Sequence, residues 1–468
     1  MNTAFPVPHF DAELISRHDQ HGPRYTSYPT ALHFHPDFDQ AALEKAIDAS
    51  NGEPVPSPLS LYVHVPFCRS PCFYCGCSRV ITRDPKRADA LLHALAIEAA
   101  LIGPRFDQDR QVRQLHLGGG TPNFLDLPRM TQLFQTLREC FAFAPVPQRE
   151  FGIEIDPRFA DADYIRGLGE LGFNRLSAGI QDFDPVVQLA VNGEQSITQT
   201  RMVLQTAREA GFQSISVDLI YGLPKQTLDG FGETLDEIVR LSPDRVAVYG
   251  YAHLPELFKA QGQIDATELP SPAQRLDLLG MAMTRLTGAG YLYIGMDHFA
   301  KPDDSLVQAQ SHGKLQRNFQ GYSTLGDCDI VGLGPSAISR IGDSYSQNTR
   351  DLDGYCATLN TGRLPVARGI LLNVDDIIRR DVISTLMCHG ELDLLAIGER
   401  HDIDAPRYFA NEIDRLKALA ADGLVTIDSR FIRVQPRGRL LMRNIAMCFD
   451  NYLDRRDSAK PLGFSRTI

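Results

Sequence analysis

The sequence predicts an α/β protein whose parallel sheet closes most of the way into a partial (β/α)6 TIM-like barrel. Three observations support this fold class. Short apolar runs rich in β-branched and aromatic residues recur between residues 59 and 249, each run ends in polar or glycine residues, and each is followed by an amphipathic stretch of helix length. Parallel neighbouring strands require long return connections of this kind.

Six strands and the helices between them follow from that alternation. The strands are predicted at Leu61–Val65, Val112–Leu117, Phe151–Ile155, Arg175–Gly179, Ile215–Ile220 and Arg245–Tyr249. The helices are predicted at Arg87–Leu101, Leu127–Cys140, Asp161–Leu171, Thr198–Ala210 and Gly232–Leu241. An open doubly wound sheet shows the same periodicity. We favour the barrel because five strand ends carry glycine or polar side chains, and loops converging from many strands are typical of a barrel.

The segments on either side of this alternation define an arm and an extension. The proline-rich stretch Pro54–Pro58 separates an N-terminal arm, residues 1–58, from the barrel domain, residues 59–364. A helix at Ala273–Thr287 and a strand at Tyr291–Met296 are predicted to extend the barrel domain.

Residues 365–468 are predicted to form a mainly helical domain of winged-helix-like order. The predicted elements are helices at Val374–Cys388, Pro406–Ala421 and Gly438–Tyr452, with a hairpin at Leu424–Val434. Winged helices often bind DNA. Here the acidic balance of the whole chain and the enzyme-like first half favour a structural or site-covering role.

The composition is that of a folded soluble protein, with 43% hydrophobic and 22% charged residues. A net charge of −11 argues against a broad electrostatic grip on nucleic acid or an anionic membrane surface, and it leaves room for a local basic pocket. No apolar run approaches the ~20 residues of a membrane helix, and residues 1–22 interleave Asp, Glu, His and Arg, unlike a signal peptide. We therefore expect a cytoplasmic protein with neither nucleic acid nor a membrane as a partner.

Four of the nine cysteines lie within ten residues, at Cys68, Cys72, Cys75 and Cys77. A structural zinc site uses four protein ligands in a closed tetrahedron, and Cys77 is available as the fourth. A 4Fe-4S cluster held by three cysteines instead leaves one iron open to an external ligand. The tight Cys75-x-Cys77 spacing and the lack of a second cysteine pair downstream favour the iron–sulfur cluster. Small core residues are predicted at the scattered positions Cys140, Cys328, Cys356, Cys388 and Cys448.

A glycine run, Gly118–Gly120, followed by Thr121 and Pro122, ends the second predicted strand. The absence of Cβ atoms lets backbone N–H groups approach a ligand directly, although a flexible turn has the same composition. Its place one βα unit beyond the cysteine cluster favours the ligand-binding interpretation.

The spacing Cys68-x3-Cys72-x2-Cys75 after the strand residues Tyr62–Phe67 resembles the signature of the radical S-adenosylmethionine (SAM) superfamily. In that superfamily the amino and carboxylate groups of SAM chelate the open iron, and the reduced cluster cleaves SAM to a 5'-deoxyadenosyl radical. The glycine run resembles the segment that receives the amino-acid end of SAM.

Further runs along nearly the whole chain resemble one family, the oxygen-independent coproporphyrinogen III oxidases. These runs are Gly22–Thr30, Gly172–Ser177, Asp218–Thr227, Tyr251–Pro255, Gly295–Ala300, Arg317–Tyr322 and Phe464–Arg466. The resemblance implies conversion of two propionates of coproporphyrinogen III to vinyl groups, giving protoporphyrinogen IX in haem biosynthesis, with two SAM molecules consumed. It also implies a flavodoxin- or ferredoxin-type electron donor, and we expect a monomer.

Carried over position by position, the resemblance implies that Cys68, Cys72 and Cys75 are the cluster ligands. The SAM-binding residues that it implies are Tyr62, Tyr74, Gly119, Gly120, Thr121, Glu154, Gln181, Asp218, Ala252, Gln320 and Ile338. The catalytic residues are Tyr62 and Cys77, the latter as a proton or hydrogen-atom donor. Arg24 and Tyr25 are the expected substrate contacts, on an arm that closes over the substrate or simply packs as a strap, because an arginine fork matches a propionate.

Two positions depart from the family's pattern. Gly193 stands where an arginine is usual, and Gly250 stands where an asparagine is usual. The missing arginine resembles one that grips a SAM carboxylate, and losing such a charge-assisted contact costs about 1.5–3 kcal/mol. We expect Arg201 or Lys225 to compensate.

Two alternative functions remain at this point. The two glycines favour a related radical SAM enzyme that acts on another tetrapyrrole. A haem chaperone of the same superfamily is the other alternative. Its cluster loop resembles Cys-x-Phe and it lacks the arm, whereas this chain has Cys75-Gly76-Cys77 and Arg24-Tyr25.

Overall fold

A computed structural model of the chain describes residues 7–454 and Arg466. The Phe464–Ser465 part of the last matching run lies outside the described residues, as do the ends of the predicted arm and helical domain. Among the helices that the structure describes, none combines the length and apolar character needed to cross a bilayer.

The strands and helices are numbered in chain order. The strands are β1 Leu59–Val65, β2 Phe67–Cys68, β3 Val80–Ile81, β4 Val112–Gly119, β5 Glu150–Ile155, β6 Arg175–Gln181, β7 Ser214–Tyr221, β8 Arg245–Gly250, β9 Leu292–Gly295, β10 His298–Ala300, β11 Gln316–Asn318, β12 Gly321–Ser323, β13 Asp329–Leu333, β14 Ile338–Ile341, β15 Ser344–Asn348, β16 Val366–Leu371, β17 Glu391–Asp393, β18 Val425–Ile427 and β19 Phe431–Val434. The helices are α1 Ala12–His18, α2 Gln40–Asn51, α3 Lys86–Ile102, α4 Leu127–Cys140, α5 Ala162–Leu171, α6 Pro185–Ala190, α7 Ile197–Glu209, α8 Leu228–Leu241, α9 Pro272–Gly288, α10 Ser305–Ser311, α11 Leu352–Leu359, α12 Val374–His389, α13 Leu394–His401, α14 Ala405–Tyr408, α15 Ala410–Ala421, α16 Met442–Met447 and α17 Asn451–Asp454.

The large sheet has twelve strands in the order β16-β15-β14-β13-β1-β4-β5-β6-β7-β8-β10-β9. The block from β13 through β1 to β8 is parallel, and antiparallel strands extend it at both edges. The edge strands β16 and β9 do not pair with each other, so the sheet is open and the predicted partial barrel is confirmed. All six predicted parallel strands are present, with ends within two residues of the predicted ones.

The main hydrophobic core packs the alternate buried side chains of the parallel strands against the apolar faces of the crossover helices. Side-chain caps set the starts of several of these helices: Asp126, Asp161 and Ser196 accept backbone N–H groups at the starts of α4, α5 and α7. Helix α8 begins four residues before the predicted Gly232 because the Thr227 side chain accepts the Gly230 N–H and caps it there.

The sequence did not predict the strands β13 to β16. One of them, β16, begins at Val366, just beyond the predicted domain boundary, and pairs with β15 of the large sheet. The helical part of the chain therefore starts at α12, after the last strand of the barrel sheet. The three strands β17, β19 and β18 form a separate antiparallel sheet among α12 to α15, in the winged-helix-like order expected.

Two helices predicted as continuous are broken. The predicted helix Pro406–Ala421 is interrupted at Phe409, which is fully buried and leaves helical geometry at φ −101° and ψ 25°. The predicted helix Gly438–Tyr452 is a 3-10 turn followed by α16 and α17. The second break lies at Asp450, whose carboxylate accepts the Tyr452 N–H and the Tyr25 hydroxyl in place of the regular helical pattern.

The scattered cysteines pack as predicted, although not all are fully enclosed. Cys328 and Cys388 are buried. Cys140, Cys356 and Cys448 are half-buried and pack against the hydrophobic clusters.

A buried ion pair joins the arm to the barrel. Arg110 and Asp329 lie 2.7 Å apart with side chains 1% and 6% exposed. Arg110 also donates to the Ser57 carbonyl and to Asn51 Oδ1, while Asp329 accepts from Ser50 Oγ. All the donors of this pair have partners, so removing one member leaves the other as an uncompensated buried charge.

We expect Arg110→Met to lower the free energy of unfolding by about 3–5 kcal/mol, because Asp329 then remains charged in the interior. The measurement is a urea unfolding curve followed by circular dichroism. Arg166→Met is the matched control, since Arg166 pairs with Asp163 on the surface, where such pairs contribute about 0–1 kcal/mol. Equal shifts of the midpoint for the two variants would contradict this prediction.

Candidate active site

The carboxyl ends of the parallel strands open on a cavity of about 230 Å³, hereafter the first cavity. The predicted site residues that line it are Cys68, Cys72, Tyr74, Cys75, Cys77, Gly119, Gly120, Thr121, Glu154, Gln181 and Asp218. They come from the segment after β1, from the end of β4 and the loop after it, and from β5, β6 and β7 themselves, so residues of many strands converge as the barrel hypothesis requires.

The cysteine loop is held at both ends and in the middle. Its ends are tied by the parallel pair β2 and β3. Within the loop, the Arg79 guanidinium donates to the Cys75 and Cys72 carbonyls at 2.9 and 3.1 Å. Asn192 Nδ2 donates to the Pro71 carbonyl at 2.6 Å. The loop therefore has a defined shape while its cysteines line the first cavity.

The glycine run lies against the chain that leads into this loop. Gly120 N–H donates to the Val65 carbonyl and Thr121 N–H donates to the Phe67 carbonyl, both at 2.8 Å. A Cβ at Gly120 would stand 2.7 Å from the Pro66 carbonyl carbon, and a Cβ at Gly119, whose φ is +111°, would stand 2.5 Å from the His64 ring. Only glycine permits this approach.

Each of the three spaced cysteines receives a hydrogen bond at sulfur. Thr121 Oγ1 donates to Cys68 at 3.3 Å, Arg158 Nη2 donates to Cys72 at 3.6 Å, and the Cys77 N–H donates to Cys75 at 3.4 Å. Donors of this kind favour the thiolate, which is the metal-binding form.

The thiol pKa values differ within the loop. The Cys77 thiol donates to Cys75 and lowers the pKa of Cys75 to about 6. The same bond, together with burial, raises the pKa of Cys77. Burial raises the pKa of Cys68 to about 11 despite the Thr121 hydroxyl. Cys75 and Cys77 are therefore unequal, with Cys77 as the protonated partner.

The arrangement of these thiols fits an iron–sulfur cluster. Within the described residues, no three His, Cys, Asp or Glu side chains converge closely enough to hold a single metal ion. A 4Fe-4S cluster requires a different arrangement, because each thiolate binds its own iron. Three hydrogen-bonded cysteines around one cavity meet that requirement.

Two carboxylates that line the first cavity, Glu154 and Asp218, differ in proton affinity. Asp218 accepts from Ser177 Oγ at 3.1 Å, and burial together with the charge of Glu154 raises its pKa to about 7. Burial also acts to raise the pKa of Glu154, but the hydrogen bond and charge of His116, whose Nε2 lies 3.1 Å away, outweigh it and lower that pKa. The pair offers acceptors for ammonium and hydroxyl donors.

Four predicted residues lie elsewhere. Tyr62 lies outside the lining of the first cavity, with its hydroxyl 3.2 Å from His64 Nδ1 and its ring stacked on His116. Gln320 lines an interior cavity of about 170 Å³ that shares Glu154 and Asp218 with the first one. The Gln320 Nε2 is buried without a hydrogen-bond partner in the described part of the chain.

The remaining two of these residues are Ala252 and Ile338. Ala252 lines a separate cavity of about 280 Å³ between the barrel and the helical part, hereafter the second cavity. Ile338 packs beside the cluster of Phe34, Tyr345 and Leu372 instead.

The expectation that Arg201 or Lys225 replaces the missing arginine is wrong. Arg201 pairs with Glu237 at 2.9 Å and Lys225 pairs with Glu268 at 3.2 Å, and neither lines the first cavity. Sequence reasoning missed Arg158, which does line it and lies 3.5 Å from the Asn192 carbonyl, next to Gly193. The sequence signal that could have identified Arg158 is its position just after strand β5, since other site residues also lie at strand ends.

The predicted substrate residues divide between two environments. Arg24 lines the second cavity and its Nη2 donates to Asp297 Oδ2 at 2.5 Å. Tyr25 is 4% exposed and its hydroxyl donates to Asp450 at 2.9 Å, so it packs against the helical part. In this structure the arm is a packed strap.

Comparison with known proteins identifies the class of this fold and site. Residues 62–238 match the family model of the Radical SAM superfamily, and residues 372–441 match that of the HemN C-terminal domain. The barrel and its cysteine-lined cavity thus define a radical SAM enzyme, a class that uses a 4Fe-4S cluster and SAM.

The family within that class follows from the full-length relatives. The chain is 49% identical over 463 residues to the oxygen-independent coproporphyrinogen III oxidase of Pseudomonas aeruginosa, covering 98% of this chain and 99% of that one. It is 48% identical over 459 residues to the Escherichia coli protein of the same name, covering 98% of each. The solved structure of coproporphyrinogen III oxidase (HemN) from Escherichia coli, a radical SAM enzyme, matches with a TM-score of 0.91 and 47% identity over 96% of this chain and 100% of that one. The chain therefore belongs to the family of oxygen-independent coproporphyrinogen III oxidases.

Proposed function

We propose that this enzyme converts two propionates of coproporphyrinogen III to vinyl groups, giving protoporphyrinogen IX in haem biosynthesis. The observation that carries the proposal is the convergence of Cys68, Cys72 and Cys75 with Glu154 and Asp218 on one cavity in a chain of this family. The cytoplasmic location, the monomeric state and a flavodoxin- or ferredoxin-type electron donor are parts of the same proposal.

Cys68, Cys72 and Cys75 are the proposed cluster ligands, each binding one iron and leaving the fourth for SAM. When bound, the cluster and SAM supply the one-electron chemistry that removes a hydrogen atom from the β-carbon of a propionate. The hydrogen bonds from Thr121, Arg158 and the Cys77 N–H hold the three sulfurs in place.

Glu154 and Asp218 are proposed to accept hydrogen bonds from the amino and ribose hydroxyl groups of SAM. The backbone of Gly119 and Gly120 permits close approach. Arg69, Arg79 and Arg158 are the cations that line the first cavity, and Arg158, which pairs with Asp156 at 2.6 Å and lies beside the Asn192 carbonyl, is proposed for the SAM carboxylate. Gly193 itself has space, since an added Cβ would meet only Val191 Cγ2 at 3.3 Å and the Gln188 carbonyl at 3.9 Å.

A second SAM molecule is proposed on the far side of the same two carboxylates. Glu154 and Asp218 border both the first cavity and the interior cavity. The buried Nε2 of Gln320 is an available donor there. The Tyr62 ring stacks on His116, and its hydroxyl lies 3.2 Å from His64 Nδ1. Tyr62 is therefore proposed to support His116, which lines the interior cavity.

Cys77 is proposed as a proton or hydrogen-atom donor. It lines the first cavity, where the hydrogen bond to Cys75 and burial raise the pKa of its thiol. A thiol with a raised pKa beside the cluster ligands favours its protonated form, which can deliver hydrogen.

A related enzyme acting on another tetrapyrrole remains the second candidate. The specific observation is Gly250, which lines the second cavity and where an added Cβ would stand 2.9 Å from the Tyr221 hydroxyl. Tyr221 thus occupies the space that a side chain at position 250 would need, and this wall differs from the family's usual pattern.

The direct test is turnover. Protein reconstituted without air and supplied with a reductant and SAM is expected to form protoporphyrinogen IX from coproporphyrinogen III, with products separated by mass. A reaction lacking SAM is the control. Cleavage of SAM without any vinyl product would favour the second candidate and contradict the proposed function.

The ligand assignment has its own test. We expect Cys68→Ala to abolish the brown chromophore of the reconstituted protein, since an iron then lacks its ligand. Cys77→Ala is expected to keep the chromophore and lose turnover, and Cys140→Ala, the control, is expected to keep both. Equal loss of the visible absorption in Cys68→Ala and Cys77→Ala would show that Cys77 is a ligand.

The pKa of Asp218 predicts a pH dependence of SAM affinity. A cation favours the ionised carboxylate, and with a pKa of about 7 that form is mostly lost as the pH falls from 8 to 6. The dissociation constant of SAM is therefore expected to rise about tenfold across that range.

Titration calorimetry on the anaerobic protein measures this dependence. Asp218→Asn should bind SAM weakly at every pH and lose most of the dependence, whereas Asp107→Asn, an exposed control, should behave as the unmodified protein. If Asp218→Asn keeps the pH dependence of SAM affinity, that dependence arises from another titratable group.

A further inference from the structure

The second cavity carries a charge opposite to that of the whole chain. The chain has a net charge of −11. The arginines that line this cavity are Arg24, Arg275, Arg439, Arg443 and Arg466. Among its described lining residues Asp297 is the one carboxylate, and much of the remaining wall is apolar, including Val248, Leu279, Met283 and Phe299. Such a wall suits an apolar ligand that carries several anionic groups.

Two of these arginines form ion pairs, Arg24 with Asp297 at 2.5 Å and Arg466 with Asp19 at 2.9 Å. Arg439 donates to the Tyr293 and Ile294 carbonyls, and Arg443 donates to the Pro23 and Gly22 carbonyls. Burial, followed by repulsion from Arg24, lowers the pKa of Arg443 to about 10. The crowding of like charges favours an incoming anion.

Arg275 forms no ion pair within the described residues. It extends from α9 over the end of β7, where an added Cβ at Gly222 would lie 3.1 Å from Arg275 Nε. It is therefore a cation at the cavity wall that is available to a carboxylate ligand.

Asp297 is held in an unfavourable backbone conformation. It lies in the turn between β9 and β10, where Gly295, Met296 and Asp297 have φ values of +147°, +40° and +73°. Two successive non-glycine residues in the left-handed region are uncommon and persist only where the surrounding structure enforces them. The Asp297 Oδ2 accepts from Arg24, while its Oδ1 has no hydrogen-bond partner in the part of the chain that the structure describes.

These groups match the substrate of the proposed function, on which this inference rests. A coproporphyrinogen has carboxylates on its rim and four pyrrole N–H donors directed to its centre. An oxidised porphyrin has two N–H groups and two bare nitrogens, which are acceptors. A carboxylate at the centre of the macrocycle is therefore favourable for the reduced form and less so for the oxidised form.

We propose that the second cavity binds the porphyrinogen, with Asp297 accepting hydrogen bonds from pyrrole N–H groups and with Arg275 and Arg24 binding propionates. The volume of about 280 Å³ holds part of the macrocycle, and the rest projects from it. Strand β7 borders both cavities, with Asp218 at the first and Tyr221 at the second. These two side chains point to opposite faces of the strand, so the proposed binding mode requires a propionate to pass over the end of β7 toward the first cavity.

The test compares equilibrium binding of two probes, coproporphyrinogen III and coproporphyrin III, to the reconstituted protein without air and without reductant. The unmodified protein should prefer the reduced probe. Asp297→Asn should weaken binding of coproporphyrinogen at least tenfold and of coproporphyrin less than threefold, so that the preference is lost. Arg275→Gln should weaken both probes alike, and Asp303→Asn, an exposed control nearby, should change neither.

Two further variants test whether Asp297 accepts hydrogen bonds from pyrrole N–H groups or acts only by holding Arg24 of the arm in place. Arg24→Gln breaks the same ion pair, so if Asp297 acts only through Arg24, both variants weaken the two probes equally and the inference is overturned. Asp297→Glu keeps the charge and should retain the preference. If the melting curve shows that Asp297→Asn does not fold, Asp297→Ser replaces it. A preference for coproporphyrinogen that is lost in Asp297→Ser and kept in Asp297→Glu then supports the inference, and a preference kept in both variants overturns it.

Failure of the inference and failure of the proposed function give different results. Vinyl product from the unmodified protein, together with an unchanged preference in Asp297→Asn, overturns the pocket assignment alone. Preferential binding of coproporphyrinogen that is lost in Asp297→Asn, but without vinyl product, supports the pocket and overturns the proposed function. No binding of coproporphyrinogen by the unmodified protein overturns both.

Discussion

The end of β4 can lie against the cysteine loop only because no Cβ intervenes at Gly119 and Gly120. This close approach lets two backbone hydrogen bonds join the glycine run to the chain just before Cys68, and it brings Thr121 within reach of the Cys68 sulfur. The geometry of the metal-binding loop is thus tied directly to the central sheet. A loop held only by its own hydrogen bonds would have to be ordered by its ligand.

The first and second cavities differ in the charge of their walls. Four carboxylates, from Glu154, Asp156, Asp182 and Asp218, line the first, with Arg69, Arg79 and Arg158 as the basic side chains. The second cavity has five arginines and Asp297. SAM carries a sulfonium charge and coproporphyrinogen carries carboxylates, so each proposed ligand meets a wall of the opposite predominant sign. Neighbouring sites for unlike ligands gain selectivity from such a division.

The parts of the structure that follow local rules were predictable. Apolar periodicity located six of the seven parallel strands to within two residues, and the cysteine and glycine motifs located the first cavity. The strands β13 to β16 were missed because they are short and their sequence is interrupted by glycine and polar residues, so tertiary pairing and not local propensity makes them strands. The breaks at Phe409 and Asp450 likewise depend on packing and on a partner, Tyr25, that lies far away along the chain.

The arginine expected to replace the one missing at Gly193 shows the same limit of sequence-based prediction within the site. Arg201 is near Gly193 in sequence, but its side chain, like that of Lys225, is turned to a carboxylate outside the cavity. Arg158 is about as far from Gly193 in sequence as Lys225 is, and it is adjacent in space because β5 and β6 are neighbours. Sequence spacing indicates which residues are close enough along the chain to reach a site, whereas the interaction partners of a side chain determine the direction in which it points.

The second cavity is built from both halves of the polypeptide. His21 and Arg24 from the beginning of the described chain and Arg443 and Arg466 from its end line this cavity together, with a β-bridge between His21 and Arg466. Every residue that lines the first cavity precedes position 224. During synthesis on the ribosome, every residue that lines the first cavity therefore emerges before the late residues that complete the basic wall of the second cavity.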